Sequence, residues 1–152
     1  MSIDISTEKR FESDIEASFL TTGGYVQGAD VYDAKEGLFV DTLIDFVQRT
    51  QPIEWKWFEK LNPGDVKKKF CAAFNNACNE YGILNVLRNG FKHKGRHYKV
   101  CYFKPESTLN ATTTALYEQN NIAVYRQWYY SVDTNKSVDM VIVLNGIPVF
   151  AF

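Results

Sequence analysis

The C-terminal segment constrains the fold more than any other. Val138-Asp139-Met140-Val141-Ile142-Val143-Leu144 is almost continuously apolar and rich in β-branched residues, and Asn145-Gly146 follows it directly. Asn-Gly between two apolar runs is the strongest short-range hairpin signal, because both central residues of a type I′ turn need positive φ. The chain must therefore turn back, and Ile147 onward must pair antiparallel with the run before it. So few polar residues in the first run predict a strand buried on both faces. An all-helical bundle is excluded.

The first half reads as helical. Ser6 is a suitable N-cap, and Phe11, Ile15 and Phe19 recur every four residues up to the stop at Gly23-Gly24. The spacing of Phe39, Leu43, Phe46 and Val47 predicts a second helix over about Gly37–Arg49. Pro52 suits the first turn of a third, carrying Trp55, Phe58 and Leu61. Asp65 caps a fourth, with Val66, Phe70, Ala73, Phe74, Ala77 and Tyr81 on its buried stripe and Gly82 at its end. A short helix, Ile83–Arg88, closes at Asn89-Gly90. The pattern then changes. A turn at Lys94-Gly95 leads into a strand, His97–Phe103, which Pro105 ends. A helix over Ser107–Gln119 and a strand over Ile122–Ser131 precede the terminal hairpin. This order predicts a single domain over residues 1–152, of α/β class with an α+β element order: a helical N-terminal half, then a sheet.

Composition narrows the class. With 17 basic and 18 acidic residues among 152, the net charge is −1, which excludes a polybasic tail-like binder but not an enzyme with local basic contacts. Hydrophobic residues at 45% and charged residues at 23% fit a folded chain and not a disordered one. No apolar run is long enough for a membrane span, and Met1-Ser2-Ile3-Asp4-Ile5 is acidic where a signal peptide is basic. The three cysteines are an odd count, which reads as reduced thiols in a cytoplasmic protein.

Few residues carry chemistry by spacing alone. Cys71 and Cys78 share a helix face, and His93 and His97 flank Gly95, but no Cys-x-x-Cys or His-Glu-x-x-His exists. There is no nucleophile elbow and no glycine-rich phosphate loop. A basic cluster, Arg88, Lys92, His93, Lys94, Arg96, His97 and Lys99, is interleaved with Phe91 and Tyr98 and suits either a phosphate backbone or a solvated hairpin tip. Lys67-Lys68-Lys69 reads as an exposed helix face. Asp139 is the most informative residue. A carboxylate entering a buried strand is costly unless it is paired, hydrogen-bonded or holding a cation; the plain alternative is a strand-end Asp facing water. Glu12 and Glu16, one helical turn apart, offer further carboxylates, and Mg²⁺ prefers such oxygen ligands.

Taken in order, these residues resemble a known family. Phe11-Glu12-x-x-Ile15, Gly23-Gly24-Tyr25, Phe46-Val47-Gln48-x-Thr50-Gln51-Pro52-x-Glu54-Trp55, Leu87-Arg88-x-Gly90, Tyr102-Phe103-x-Pro105, Tyr117-Glu118-x-Asn120, Val124-x-Arg126-Gln127-x-x-Tyr130-Ser131 and Val138-Asp139-x-Val141-x-x-Leu144-Asn145-Gly146-Ile147-Pro148 resemble the N-terminal part of the restriction (R) subunit of Type I restriction–modification enzymes. The resemblance implies a restriction-endonuclease-like mixed sheet flanked by helices. It also implies Mg²⁺-dependent hydrolysis of double-stranded DNA, and a cytoplasmic complex with modification (M) and specificity (S) subunits.

On that resemblance Asp139 is the catalytic, metal-holding carboxylate. Glu12, with Glu16 as second choice, is the helix carboxylate, and Gln127, beside Arg126 on the strand before Asp139, is either a shaper of the DNA-facing side or a plain sheet-edge polar residue. Arg88, Lys92, Lys94, Arg96 and Arg126 are then candidate DNA contacts. The family's acidic-x-Lys element lies on the strand after Asn-Gly-Ile-Pro, where this sequence reaches Phe152. The expectation is therefore an N-terminal portion of the endonuclease domain, incomplete and inactive by itself, with ATP used only by translocase domains outside it. The rival expectation is a nuclease-like module that docks DNA or subunits without chemistry of its own.

Overall fold

A computed structural model describes residues 26–103, 109–129 and 137–151. The expected first helix, with Glu12 and Glu16, lies outside them. The elements in chain order are β1 (Val26–Gln27), α1 (Val40–Thr50), α2 (Pro52–Leu61), α3 (Val66–Tyr81), α4 (Ile83–Asn89), β2 (Phe91–His93), β3 (Arg96–Tyr98), α5 (Ala111–Glu118), β4 (Ile122–Tyr129), β5 (Ser137–Leu144) and β6 (Ile147–Ala151). The fold is mixed α/β. Among the described residues, five helices accompany a four-stranded sheet of order β1-β4-β5-β6 and a separate β2–β3 hairpin. β1 runs parallel to β4, and β4, β5 and β6 form an antiparallel meander.

Local signals set most of the helix ends. Pro52 stands in the first turn of α2. The Asp65 carboxylate accepts from Lys68 N at 3.2 Å and caps α3. Tyr81, expected on the buried stripe of α3, is instead 61% exposed at its last turn. α1 begins at Val40 and not near Gly37. Asp33 Oδ1 accepts from the N–H groups of Lys35 and Glu36 at 3.0 and 3.2 Å, and Leu38 bridges back to Asp33. Gly37 and Leu38 donate their N–H groups to the Asp33 carbonyl and Phe39 donates to Gly146 O, so these residues are committed to the turn and the hairpin before the helix begins.

The strand expected over His97–Phe103 stops at Tyr98, for a similar reason. Gln51 takes the backbone of Lys99, donating from Nε2 to its carbonyl and accepting from its N–H, both at 2.7 Å. Asn120 takes the backbone of Tyr102, accepting its N–H at 3.1 Å and donating to its carbonyl at 2.5 Å. Two side-chain amides thus satisfy groups that a longer ladder would have paired. The helix expected over Ser107–Gln119 is shortened to Ala111–Glu118, with Asn110 accepting from Thr113 N as its cap.

The main core lies between the helices and the β2–β3 hairpin. Phe58 meets Phe70 and Tyr98 edge-on, with centroids at 5.1 and 5.3 Å. Phe70 also meets Tyr98 edge-on at 5.9 Å. This is the preferred geometry of ring quadrupoles. A smaller cluster joins Phe39 to Val141 and Val143, with the Tyr125 ring stacked on Phe39 at 4.1 Å. On one face of β5 Val141 and Val143 are buried under Phe39, Tyr32 and Tyr125; on the other Met140 is buried while Ile142 and Leu144 are half-buried, so the second face is covered in part.

Tyr98 is wholly buried, and its hydroxyl meets no hydrogen-bonding group among the described residues. A buried hydroxyl without a partner carries its desolvation penalty uncompensated. Tyr98→Phe is accordingly expected to keep or raise stability, by up to about 1 kcal/mol. Urea titration of both proteins checks this, and a clear loss of stability would mean the hydroxyl is partnered.

Candidate functional site

The β4–β5–β6 meander is locked to α1 through its Asn-Gly turn. Asn145 and Gly146 adopt φ +51° and +83°, as a type I′ turn requires. Asn145 is fully buried and its amide is well used: Nδ2 donates to Val100 O and to Asn120 Oδ1, both at 2.9 Å, and Oδ1 accepts from Asn121 N at 2.6 Å. Gly146 O accepts from Phe39 N at 2.8 Å, immediately before α1. One dipeptide thus turns the hairpin, ties it to the segments before α5 and β4, and seats the first helix.

The meander then places the two candidate catalytic positions. β4 and β5 pair Tyr125↔Val141, Arg126↔Met140 and Trp128↔Val138. This register sets Gln127 and Asp139 directly across from each other on neighbouring strands, in the same alternation phase as Tyr125 and Val141. For both residues the description stops at the backbone. β5 and β6 pair Val141↔Ala151 and Ile142↔Phe150 after an irregularity between Ile142 and Val143. Asp139 is thus two residues from the last described β5–β6 pair, on the sheet's second strand from the β6 edge.

The covered face of the meander borders a cleft of about 410 Å³ lined by Asp30, Asp41, Thr42, Asp45, Asn121 and Tyr125, among others. Its acidic groups are internally occupied. Asp30 Oδ2 accepts from Thr42 N at 2.9 Å and from Thr42 Oγ1 at 2.7 Å, in the first turn of α1, where negative charge is favoured. Asp30 N donates to the Tyr125 hydroxyl at 3.0 Å, and burial pushes that phenol's pKa up. Asp45 pairs with Arg49 at 2.7 Å and Asp41 with Lys67 at 3.0 Å. Among the described residues, no three metal-ligating side chains converge. Sequence reasoning missed the Asp30–Thr42–Tyr125 link, which joins positions far apart in the chain and carries no motif.

The basic candidates divide. Arg96 is bound in a fork to Glu54, with Nε–Oε2 at 2.9 Å and Nη2–Oε1 at 2.7 Å, and lies over the Trp57 ring at 4.9 Å. It staples β3 to α2 and is not open to a ligand. Arg126 is half-buried on β4 beside Met140. Arg88, Lys92 and Lys94 are exposed. Lys94 Nζ donates to Leu61 O at 2.9 Å and Lys99 Nζ to Arg88 O at 3.3 Å.

The three cysteines are free thiols, with pKa values pushed by burial to about 12 for Cys71 and about 11 for Cys78 and Cys101. At neutral pH they stay protonated and are poor nucleophiles. No helix among the described residues is long and apolar enough to cross a membrane.

Comparison with family models, with curated proteins and with solved structures finds no match to this chain.

Proposed function

We propose that this chain forms part of a restriction-endonuclease-like nuclease domain, of the kind carried by the restriction subunit of Type I restriction–modification enzymes. In that role it would cleave double-stranded DNA with Mg²⁺. The reading rests on the resemblance together with one observation, the register of the meander around Asp139. Gln127 stands across from Asp139 on one side. On the other, β6 lies beside the strand that carries Asp139, and its last described pair, Val141↔Ala151, is two residues away.

Directly opposed residues on antiparallel strands have Cα atoms about 4.5–5.5 Å apart. The acidic residue that the resemblance implies on the neighbouring strand would repel the Asp139 carboxylate unless a cation lay between them. Two carboxylates that close suit Mg²⁺, which binds through one or two carboxylates and keeps its waters. The metal would polarise the phosphoryl group and activate a water. Glu12 and Glu16 are the proposed helix carboxylates of the same site, and Gln127 its polar neighbour.

The test is cleavage by the natural-length subunit assembled with its modification and specificity partners. With Mg²⁺ and ATP it is expected to linearise a plasmid carrying the recognition site, and to do nothing in EDTA. Cleavage that persists in EDTA, or its absence from a complex that hydrolyses ATP, would overturn the reading.

A further inference from the structure

We infer that the groove between α3 and the β2–β3 hairpin is a seat for the phosphodiester backbone of double-stranded DNA, separate from the strands that carry Asp139. The groove has a volume of about 420 Å³. Lys69 enters it from α3, and Lys92 and Lys94 from the hairpin. Ala72, Ala73 and Ala77 of α3 line it with small side chains that let a backbone approach closely, and Asn76 offers an amide donor.

What these lysines share is that three charges without an ion pair gather in one groove, whereas Arg49, Lys67 and Arg96 are matched with carboxylates. Among the described residues none of Lys69, Lys92 and Lys94 has such a partner. Two are held by neutral acceptors where α2 ends: Lys94 by the Leu61 carbonyl at 2.9 Å, and Lys69 by the Pro63 carbonyl. An ammonium has three donors. One is used to hold each head group in place, which leaves two donors and the full charge available.

The other groups facing the groove fit this assignment. His93 donates through Nε2 to Asn62 Oδ1 at 2.9 Å, since the Asn62 amide nitrogen is engaged by Phe58 O. Burial and then Lys94 hold the His93 pKa below its usual value, so the ring adds no charge near neutrality. Glu80, on the last turn of α3, is the one acidic group lining the groove and sits beside Tyr81. Two rings, Tyr81 and His93, line the groove, and the His93 ring is tied to Asn62, so the three lysines carry the contact with a phosphate backbone.

The choice of duplex DNA as occupant rests on the nuclease reading. The arrangement of charge does not, and the test separates them. Binding of a short labelled duplex to the 152-residue chain is measured by fluorescence anisotropy in EDTA across a salt series. Each lysine–phosphate contact contributes about 0.9 to the slope of log affinity against log salt. Replacing Lys69, Lys92 and Lys94 together by Gln is therefore expected to lower the slope by about 2–3 and the affinity by roughly tenfold or more. Lys67→Gln, outside the groove, is expected to change neither. Ala72→Glu leaves all three lysines in place on an exposed helix position and is expected to weaken binding as well. A wild-type chain that does not bind duplex at low salt would overturn the proposal. So would groove variants that bind like wild type, or stronger competition from single-stranded DNA, duplex RNA or polyglutamate. Because the assay excludes metal and the substitutions avoid Asp139, failure of the nuclease reading would show in cleavage alone.

Discussion

Gly146→Ala is expected to cost about 3–5 kcal/mol, a large part of the roughly 5–15 kcal/mol that stabilises a typical domain. Two effects add at this position. Its φ of +83° is left-handed, which costs a non-glycine residue about 1–2 kcal/mol. In addition, a Cβ there would lie 2.4 Å from Phe39 O and 2.7 Å from Leu43 N. Both atoms are backbone at the start of α1, so no side chain can swing aside. Relief requires moving α1 off the hairpin, with loss of the Phe39 N to Gly146 O bond and of the packing of Phe39 on Val141 and Val143. Gly95 separates the two effects. It has nearly the same φ, +82°, but a Cβ there would meet nothing within 4 Å. Gly95→Ala should therefore show only the backbone cost, about 1–2 kcal/mol. Urea denaturation of the two variants checks the difference, and equal losses would refute the argument for close approach.

That turn also shows what a sequence of this kind reveals about its fold and what it hides. Asn145-Gly146, Pro52 and Gly82 act through their own backbone, and the Asp65 side chain caps a residue three positions on, so the hairpin and the ends of α2 and α3 could be read directly. β1, the start of α1 and the end of β3 are decided by distant partners. β1 is two exposed residues that become a strand only by pairing with β4. β3 ends because Gln51 and Asn120 reach its continuation from other elements.

The same division runs through the candidate site. The position of Asp139 in an apolar strand was visible in the sequence, and its register opposite Gln127 was not. The basic turn was visible too, but not its division between Arg96, matched by Glu54 from α2, and the open Lys92 and Lys94. Several residues that carry the family resemblance have structural work to do: Gln51, Glu54, Trp55, Asn120, Asn145 and Gly146 each hold one element to another. Residues that join elements are recognisable as a pattern before their contacts are known, whereas Asp30, Thr42 and Tyr125 have no pattern to betray them.

Asp139→Asn, in the natural-length subunit with its partners, Mg²⁺ and ATP, is expected to reduce DNA cleavage by about a thousandfold or more. Several kcal/mol of transition-state stabilisation by a bound metal corresponds to that factor. ATP hydrolysis should be unchanged, because by the proposed reading it belongs to other domains. Asn keeps the size of the side chain and removes the charge, so thermal unfolding should be unaltered while cation affinity falls. The opposing picture is an Asp that merely begins a strand in water. It predicts wild-type cleavage in this variant. Loss of cleavage with intact ATP hydrolysis would place the metal on the middle strand of the meander, and retention of both would remove Asp139 from the chemistry.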